Sequence, residues 1–216
     1  MKKTIIKSLI YITIIVAVFI TALSAANWLN NNYKFWTHLN TDNFKALAEY
    51  NGRNTKGVQG RQVLVHKNFI PYLEIIDSLA GANNLVLQIN SSYRLPESKP
   101  GRSVVRQAGN SNHKAGFAID MNIIYDGQIY FYHNLKKSNL KNQPQSIQNF
   151  ITAIRKEKKL RWGGNFGDPV HIDYALNKKS PKKYKLFREI CYDDYTNAKY
   201  KWPLINMFFR LLYYVI

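Results

Sequence analysis

Residues 111–127 have the sequence SNHKAGFAIDMNIIYDG, in which a histidine precedes a strand pattern that contains an aspartate. The segment 117–124 predicts a strand with Ala118, Asp120 and Asn122 on one face. A glycine just before this strand would turn the chain, so that the preceding histidine and Asp120 can point to the same side. One short stretch therefore predicts both a strand and a pair of ligand-type side chains beside it.

The elements around this strand predict the fold class. Asp126 and Gly127 form a strong hairpin-turn signal, and 128–132 fits the returning strand. Hydrophobic spacing and capping signals predict four helices and two further strands. The helices are expected over 41–50, 71–80, 146–159 and 183–192, and the strands over 85–89 and 170–174. This order predicts an α+β fold with a central antiparallel sheet and flanking helices.

Composition and charge limit the class of protein. The 216 residues are 46% hydrophobic, so the chain can bury a core and is not of disordered composition. A net charge of +18 attracts polyanions, whether nucleic acid, anionic lipid headgroups or acidic wall polymers, and does not choose among them. The single cysteine, Cys191, excludes an internal disulfide and a cysteine-rich zinc site. Its acidic neighbours Glu189, Asp193 and Asp194 disfavour a reactive thiolate.

The N-terminal segment has the pattern of a membrane anchor. Lys2, Lys3 and Lys7 precede an uncharged run over 8–26, close to the roughly 20 residues that span a bilayer. Positive charge on the N-terminal side predicts that the N-terminus is cytoplasmic and the rest is outside. Small residues over 22–26 also fit a cleaved secretion signal. We favour the transmembrane helix, and both alternatives predict export.

The sequence predicts four regions. Residues 1–26 are the anchor or signal, 27–60 a connector, 61–200 the main domain and 201–216 an apolar tail. The tail is too short to span a bilayer. It fits a helix packed on the domain or an interfacial helix lying on a membrane, and the sequence favours neither.

Two short segments contain the residues with catalytic chemistry. His113 and Asp120 in the first, with His171 in the second, form the two-imidazole, one-carboxylate set of a catalytic zinc. Asp168 lies three residues before His171, where it could act as a base for a zinc-bound water. Arg94, at the exit of the predicted strand over 85–89, could neutralise a developing oxyanion or hold a substrate carboxylate. Each residue alone is more often structural, but together they fill the roles of one site.

The motifs resemble a known family. They are Ser91-Ser92-Tyr93-Arg94, Ser111-x-His113-x-x-Gly116-x-Ala118-x-Asp120, Trp162-Gly163-Gly164 and Asp168-x-x-His171. This pattern is similar to the zinc D-alanyl-D-alanine carboxypeptidase and L-alanyl-D-glutamate endopeptidase family, whose members cut peptidoglycan stem peptides and share a fold with the hedgehog signalling domain. The resemblance spans roughly 63–174.

The resemblance implies a role for each matched residue. His113, Asp120 and His171 would ligate Zn²⁺, Asp168 would be the catalytic acid and base, and Arg94 would stabilise the substrate carbonyl. Asp173 fits an acceptor that orients His171. Ser111 would support the site near the metal.

The same resemblance implies a partner and a location. Peptidoglycan stem peptides would be the substrate. The expected location is the bacterial cytoplasmic membrane, crossed once by the N-terminal helix, with the catalytic domain in the periplasm or outer wall space.

Other classes of function fit the sequence less well. A non-catalytic zinc-containing wall-binding module fits the ligands but needs no base such as Asp168. No nucleic-acid-binding motif is present, so no nucleic acid partner is expected. A carboxypeptidase would need a cation for the substrate's terminal carboxylate, for which Arg102 and Arg106 are candidates; the sequence decides neither this nor the oligomeric state.

Overall fold

The structure is a computed structural model that describes residues 2–33, 39–98 and 109–199. By its contacts the chain divides into two units, one formed by residues 39–198 and another to which residues 2–33 belong. The predicted tail over 201–216 and the candidate cations Arg102 and Arg106 lie outside the described residues.

The described residues form helices and short strands, and several strands follow one another without a helix between them. The helices are α1 (Lys2–Tyr33), α2 (Ile70–Ala82), α3 (Tyr132–Leu135), α4 (Gln145–Lys156), α5 (Leu176–Lys179) and α6 (Pro181–Lys199). The strands are β1 (Leu47–Glu49), β2 (Thr55–Gly57), β3 (Leu64–His66), β4 (Val86–Ser91), β5 (Ala118–Tyr125), β6 (Gln128–Tyr130), β7 (Arg161–Trp162) and β8 (His171–Asp173). The fold is therefore α+β, as the sequence predicts.

A six-stranded sheet forms the centre of the 39–198 unit. Its order is β2-β4-β5-β8-β7, and β6 pairs with β5. All pairs in it are antiparallel except β2 with β4, which is parallel. The predicted antiparallel sheet is confirmed for the central strands β4, β5, β8 and β7. Strand β2, which lies in the segment expected to be a connector, adds a parallel pair at one edge that local sequence patterns do not predict.

Residues 39–60 contribute structure to the domain. They contain β1, which pairs with β3, and β2, which pairs with β4. The short helix predicted over 41–50 is wrong. The buried carboxylate of Asp194 on α6 accepts hydrogen bonds from the backbone N–H groups of Lys45, Ala46 and Leu47, at 2.7–2.9 Å. These contacts with a distant helix stabilise an extended segment where local spacing favoured a helix.

The core lies between one face of the sheet and helices α2 and α4. Alternation along β4 and β5 points Leu87, Ile89, Met121 and Ile123 into this core, where all four are buried. Helix α4 buries an apolar stripe at helical spacing, consisting of Ile147, Phe150, Ile151 and Ile154. The opposite face of these strands is left to polar side chains, among them Asp120.

Helix α1 contains the segment predicted to be the membrane anchor. Within the part of the chain that the structure describes, no helix has an apolar stretch long enough to cross a bilayer. The transmembrane helix predicted for residues 1–26 is therefore not supported.

We expect Asp194→Asn to lower the free energy of unfolding by about 2 kcal/mol or more, because a hydrogen bond to a charged group contributes about 1.5–3 kcal/mol. The asparagine would also turn an N–H group towards backbone donors. Urea unfolding of the purified protein measures the loss. Asp193→Asn, at the exposed neighbouring position, is the matched control. Equal stability of the two variants would contradict the role assigned to Asp194.

Candidate metal centre

Three elements bring the candidate ligands together. Asp120 lies in β5 opposite His171 in β8, as directly paired residues of an antiparallel ladder. His113 lies in a 3₁₀ turn, Asn112–Ala115, that precedes β5. This turn ends at Gly116, whose φ of 73° is in the left-handed region where a residue without a Cβ is favoured. The predicted turn at this glycine is confirmed.

The three ligand atoms form a nearly equilateral triangle. His113 Nε2 lies 3.1 Å from Asp120 Oδ1 and 3.2 Å from His171 Nδ1, and the last two atoms are 2.9 Å apart. Tetrahedral zinc with bonds of about 2.0–2.1 Å separates its ligands by about 3.3 Å. The donor set and its spacing therefore fit a metal ion such as zinc.

Hydrogen bonds fix the tautomer of each histidine. His113 Nδ1 lies 2.6 Å from the backbone carbonyl of Ser92, and His171 Nε2 lies 3.1 Å from Asp173 Oδ2. Because both oxygens only accept, these two nitrogens carry the protons. His113 Nε2 and His171 Nδ1 then keep their lone pairs for a metal. The prediction that Asp173 orients His171 is confirmed.

Asp173 is itself held by a network. Its side chain is 1% exposed and accepts from Arg161 Nε at 2.9 Å, from Arg161 Nη2 at 2.6 Å and from Asn112 Nδ2 at 2.8 Å. Burial raises the pKa of Asp173, but hydrogen bonds from Arg161 and His171 outweigh it and hold the pKa far below its usual range. The acceptor for His171 is therefore ionised and fixed in position.

The electrostatics of the ligand triangle favour a cation. Burial raises the pKa of Asp120, but the charges and hydrogen bonds of His113 and His171 hold it well below its usual range. Burial lowers the pKa of His171, yet the carboxylates of Asp120 and Asp173 raise it to about 9. Both shifts have the same cause, the attraction between a buried carboxylate and positive charge beside it, so the site favours a bound cation.

Asp168 is positioned beside this triangle. It is half-buried, its carbonyl accepts from the backbone N–H of His171 at 3.1 Å, and burial followed by the charge of Asp120 raises its pKa. Its carboxylate accepts no hydrogen bond from any residue that the structure describes. A carboxylate of this kind can receive and return a proton.

Arg94 extends from the end of β4 to the same site. Its Nε donates to Ser91 Oγ at 2.6 Å, and its Nη2 forms an ion pair with Asp120 Oδ2. The predicted cation therefore lies at the site, and it contacts the Asp120 oxygen that faces away from the two histidines.

Residues 105–174 match a sequence model of the D-alanyl-D-alanine carboxypeptidase family. The matched segment contains the whole triangle and Asp168, and it covers less than half of the chain. The resemblance expected from the motifs is thus confirmed over this region. No curated protein matches the chain at a significant level.

Within the carboxypeptidase match, Gly163 allows a close approach between backbone segments. A Cβ at this position would overlap the carbonyl oxygen of Asp168 and lie 2.8 Å from His171 Cβ. Trp162 is almost fully buried and donates from Nε1 to the carbonyl of Pro169 at 2.8 Å. The Trp-Gly-Gly motif therefore holds the loop that presents Asp168 and His171.

Sequence reasoning missed several residues of the site. The sequence predicts Ser92 only as part of a motif, and it predicts no role for Asn112 or Arg161. Arg161 contacts Asp173 because β7 and β8 pair in register, and its guanidinium also lies 4.9 Å from the ring centroid of Phe166. The only signal in the sequence was proximity to the matched motifs.

Other candidate residues lie elsewhere or have no role here. Cys191 is fully buried, and burial with nearby Asp194 raises the pKa of its thiol, so it is not a reactive nucleophile. His66 is buried against the rings of Phe117 and Phe187. His133 is exposed, and His38 lies outside the described residues.

We expect Gly163→Ala to lower the free energy of unfolding by on the order of 1–3 kcal/mol, because the added methyl group must displace the Asp168–His171 loop. Gly109→Ala adds the same group where no atom of the described residues lies within 4 Å, and it serves as the control. Chemical unfolding compares them. A Gly163→Ala protein as stable as its Gly109 counterpart would rule out the close approach.

Proposed function

We propose that this chain is a zinc-dependent peptidase that cleaves the peptide stems of bacterial peptidoglycan. The observation that carries the proposal is the triangle of His113, Asp120 and His171. Next to it lies the carboxylate of Asp168, which accepts no hydrogen bond from the described residues. A binding site alone needs no such carboxylate. The match to the D-alanyl-D-alanine carboxypeptidase family supports both the reaction and the substrate class.

The metal assignment follows from donor chemistry. His113 Nε2, Asp120 Oδ1 and His171 Nδ1 would hold the ion, and two imidazoles with one carboxylate suit zinc. When bound, zinc makes a water molecule acidic enough to supply hydroxide near neutral pH and polarises a carbonyl group. The Ser92 carbonyl and the Asp173 carboxylate keep both imidazoles in the orientation and tautomer that this requires.

Asp168 supplies the proton transfers in this proposal. Its carboxylate takes a proton from the attacking water and later delivers it to the leaving amine. The loop held by Gly163 and Trp162 keeps the carboxylate next to His171. A rigid position of this kind is needed because proton transfer requires hydrogen-bonding distance.

Arg94 stabilises negative charge in the same reaction. Its guanidinium is fixed by Ser91 and Asp120, so its remaining N–H groups can face the carbonyl oxygen of the substrate. The charge that develops on that oxygen is then opposed by a cation already in place.

The proposed site of action follows from the substrate. Peptidoglycan lies outside the cytoplasmic membrane, and the N-terminal run over 8–26 fits an export signal. We therefore propose that residues 39–198 act outside that membrane, with a hedgehog-like fold.

We expect a protease added to intact spheroplasts to digest this domain, as an exported protein requires. Protection until the cells are lysed would contradict the proposed location.

For catalysis, we expect the purified protein to bind one Zn²⁺ ion and to release a fragment from defined stem peptides in a zinc-dependent reaction. Asp168→Asn should lower kcat by about 10²–10⁴-fold with zinc binding retained, because it removes the general acid and base. Asp126→Asn, on the exposed hairpin turn, is the matched control. Mass spectrometry of the products shows whether a terminal D-alanine or an internal bond is cut.

Two other results would change the conclusion. Stoichiometric zinc without cleavage of any stem peptide would favour a non-catalytic wall-binding module. Cleavage that survives Asp168→Asn at full rate would remove Asp168 from the mechanism.

A further inference from the structure

The sheet face opposite the core continues beyond the metal centre. Because side chains alternate along a strand, the burial of Leu87, Ile89, Met121 and Ile123 in the core places the residues between them on the other face. Those residues are Gln88 and Asn90 of β4 and Asn122 of β5. Asp120 shares this face, so the metal centre and these three amides lie on one surface.

The three amides form a connected group, here called the amide cluster (Gln88, Asn90 and Asn122). Asn122 is 8% exposed, and its Nδ2 donates to Gln88 Oε1 and to Asn90 Oδ1, each at 3.2 Å. These bonds use the side-chain oxygens of both β4 residues. The side-chain NH₂ groups of Gln88 and Asn90 have no hydrogen-bond partner among the described residues, and both side chains are partly exposed. They can therefore donate to a bound molecule.

A lysine adds positive charge next to the amide cluster. Lys56 of β2 pairs in register with Gln88, so the two side chains lie on the same face, and Lys56 is exposed. Strands β2, β4 and β5 contain a single acidic residue, Asp120. Amide donors beside an ammonium group match a carboxylate, which accepts hydrogen bonds and carries a negative charge.

The distance from the metal centre suits an extended peptide. Asp120 and Asn122 are two residues apart in β5, a separation of about 6.7 Å along the strand. A substrate lying extended over this face advances by the same length in two residues. A carboxylate close to the scissile bond can therefore reach the amide cluster while the bond lies at the metal centre.

We propose that Lys56 and the amide cluster form a substrate subsite that binds a free carboxylate of the stem peptide. This inference rests on the proposed peptidase function and specifies its substrate. A stem glutamate linked through its side chain keeps a free α-carboxylate, and amidation of that group removes the charge. The subsite thus selects the acidic stem over its amidated form.

The test measures binding rather than turnover. Zinc-loaded Asp168→Asn protein is titrated with the pentapeptide L-Ala-γ-D-Glu-L-Lys-D-Ala-D-Ala and with the same peptide amidated at the glutamate α-carboxylate. We expect the acidic peptide to bind more tightly. Adding Lys56→Ala or Gln88→Leu should raise its Kd about tenfold or more, because each removes a partner of a charged group. The Kd of the amidated peptide should change much less with Lys56→Ala.

Matched controls separate the subsite from general effects. Lys183→Ala and Gln145→Leu remove the same side-chain types from exposed positions on α6 and α4, and both should leave the two Kd values unchanged. Zinc stoichiometry confirms that each variant keeps its fold. Lys56→Ala, at an exposed position, remains decisive if Gln88→Leu fails to fold.

The outcomes distinguish this inference from the proposed function. Unchanged Kd values, equal losses for both peptides, or no binding of either peptide would overturn the subsite. If the wild-type protein cleaves these peptides while Lys56→Ala and Gln88→Leu bind normally, only the subsite fails. Suppose instead that the wild-type protein cleaves neither peptide, and that its preference for the acidic peptide still depends on Lys56. The subsite then stands and the peptidase function fails.

Discussion

The pairing of Asp120 with His171 across β5 and β8 is the constraint on which the site depends. Antiparallel register places the two side chains on the same face, and a shift of one residue would turn one of them into the core. The buried residues on either side, Ile119 and Ile172, oppose such a shift because they would lose their packing. The hydrophobic core thus fixes the geometry of a polar site.

Around this pair, buried polar groups stabilise one arrangement of the ligands. Arg161 and Asn112 donate hydrogen bonds to Asp173. The imidazole of His171 contacts the carboxylates of both Asp173 and Asp120. His113 donates to the backbone carbonyl of Ser92. Each group is satisfied by another, so the desolvation of several charges is offset by hydrogen bonds. The low pKa of Asp120 and the high pKa of His171 both result from the attraction and hydrogen bond between the Asp120 carboxylate and the His171 imidazole.

Under the proposed function, the sheet would link metal binding to substrate selection. Its core face is apolar, whereas its other face carries the metal centre, Arg94, the amide cluster and Lys56. Residues on one face of β4 and β5 are spaced along the strand by the same distance as alternate residues of an extended peptide. The same strands can therefore hold metal ligands and align a substrate. Rigid strands suit this role better than loops, since small displacements of catalytic groups cost large factors in rate.

The sequence by itself determined the motif spacing, the α+β class, the candidate ligands, Asp168 and Arg94, because these depend on local periodicity and on residue chemistry. The family resemblance also implied Asp173 as an acceptor for His171. Only the tertiary structure decided the parallel β2–β4 pair, the extended segment held by Asp194, the Arg161–Asp173 pair and the surface shared by Lys56 and Gln88. The reason is that each joins residues far apart in the chain, and strand partners and register depend on packing that local patterns do not contain.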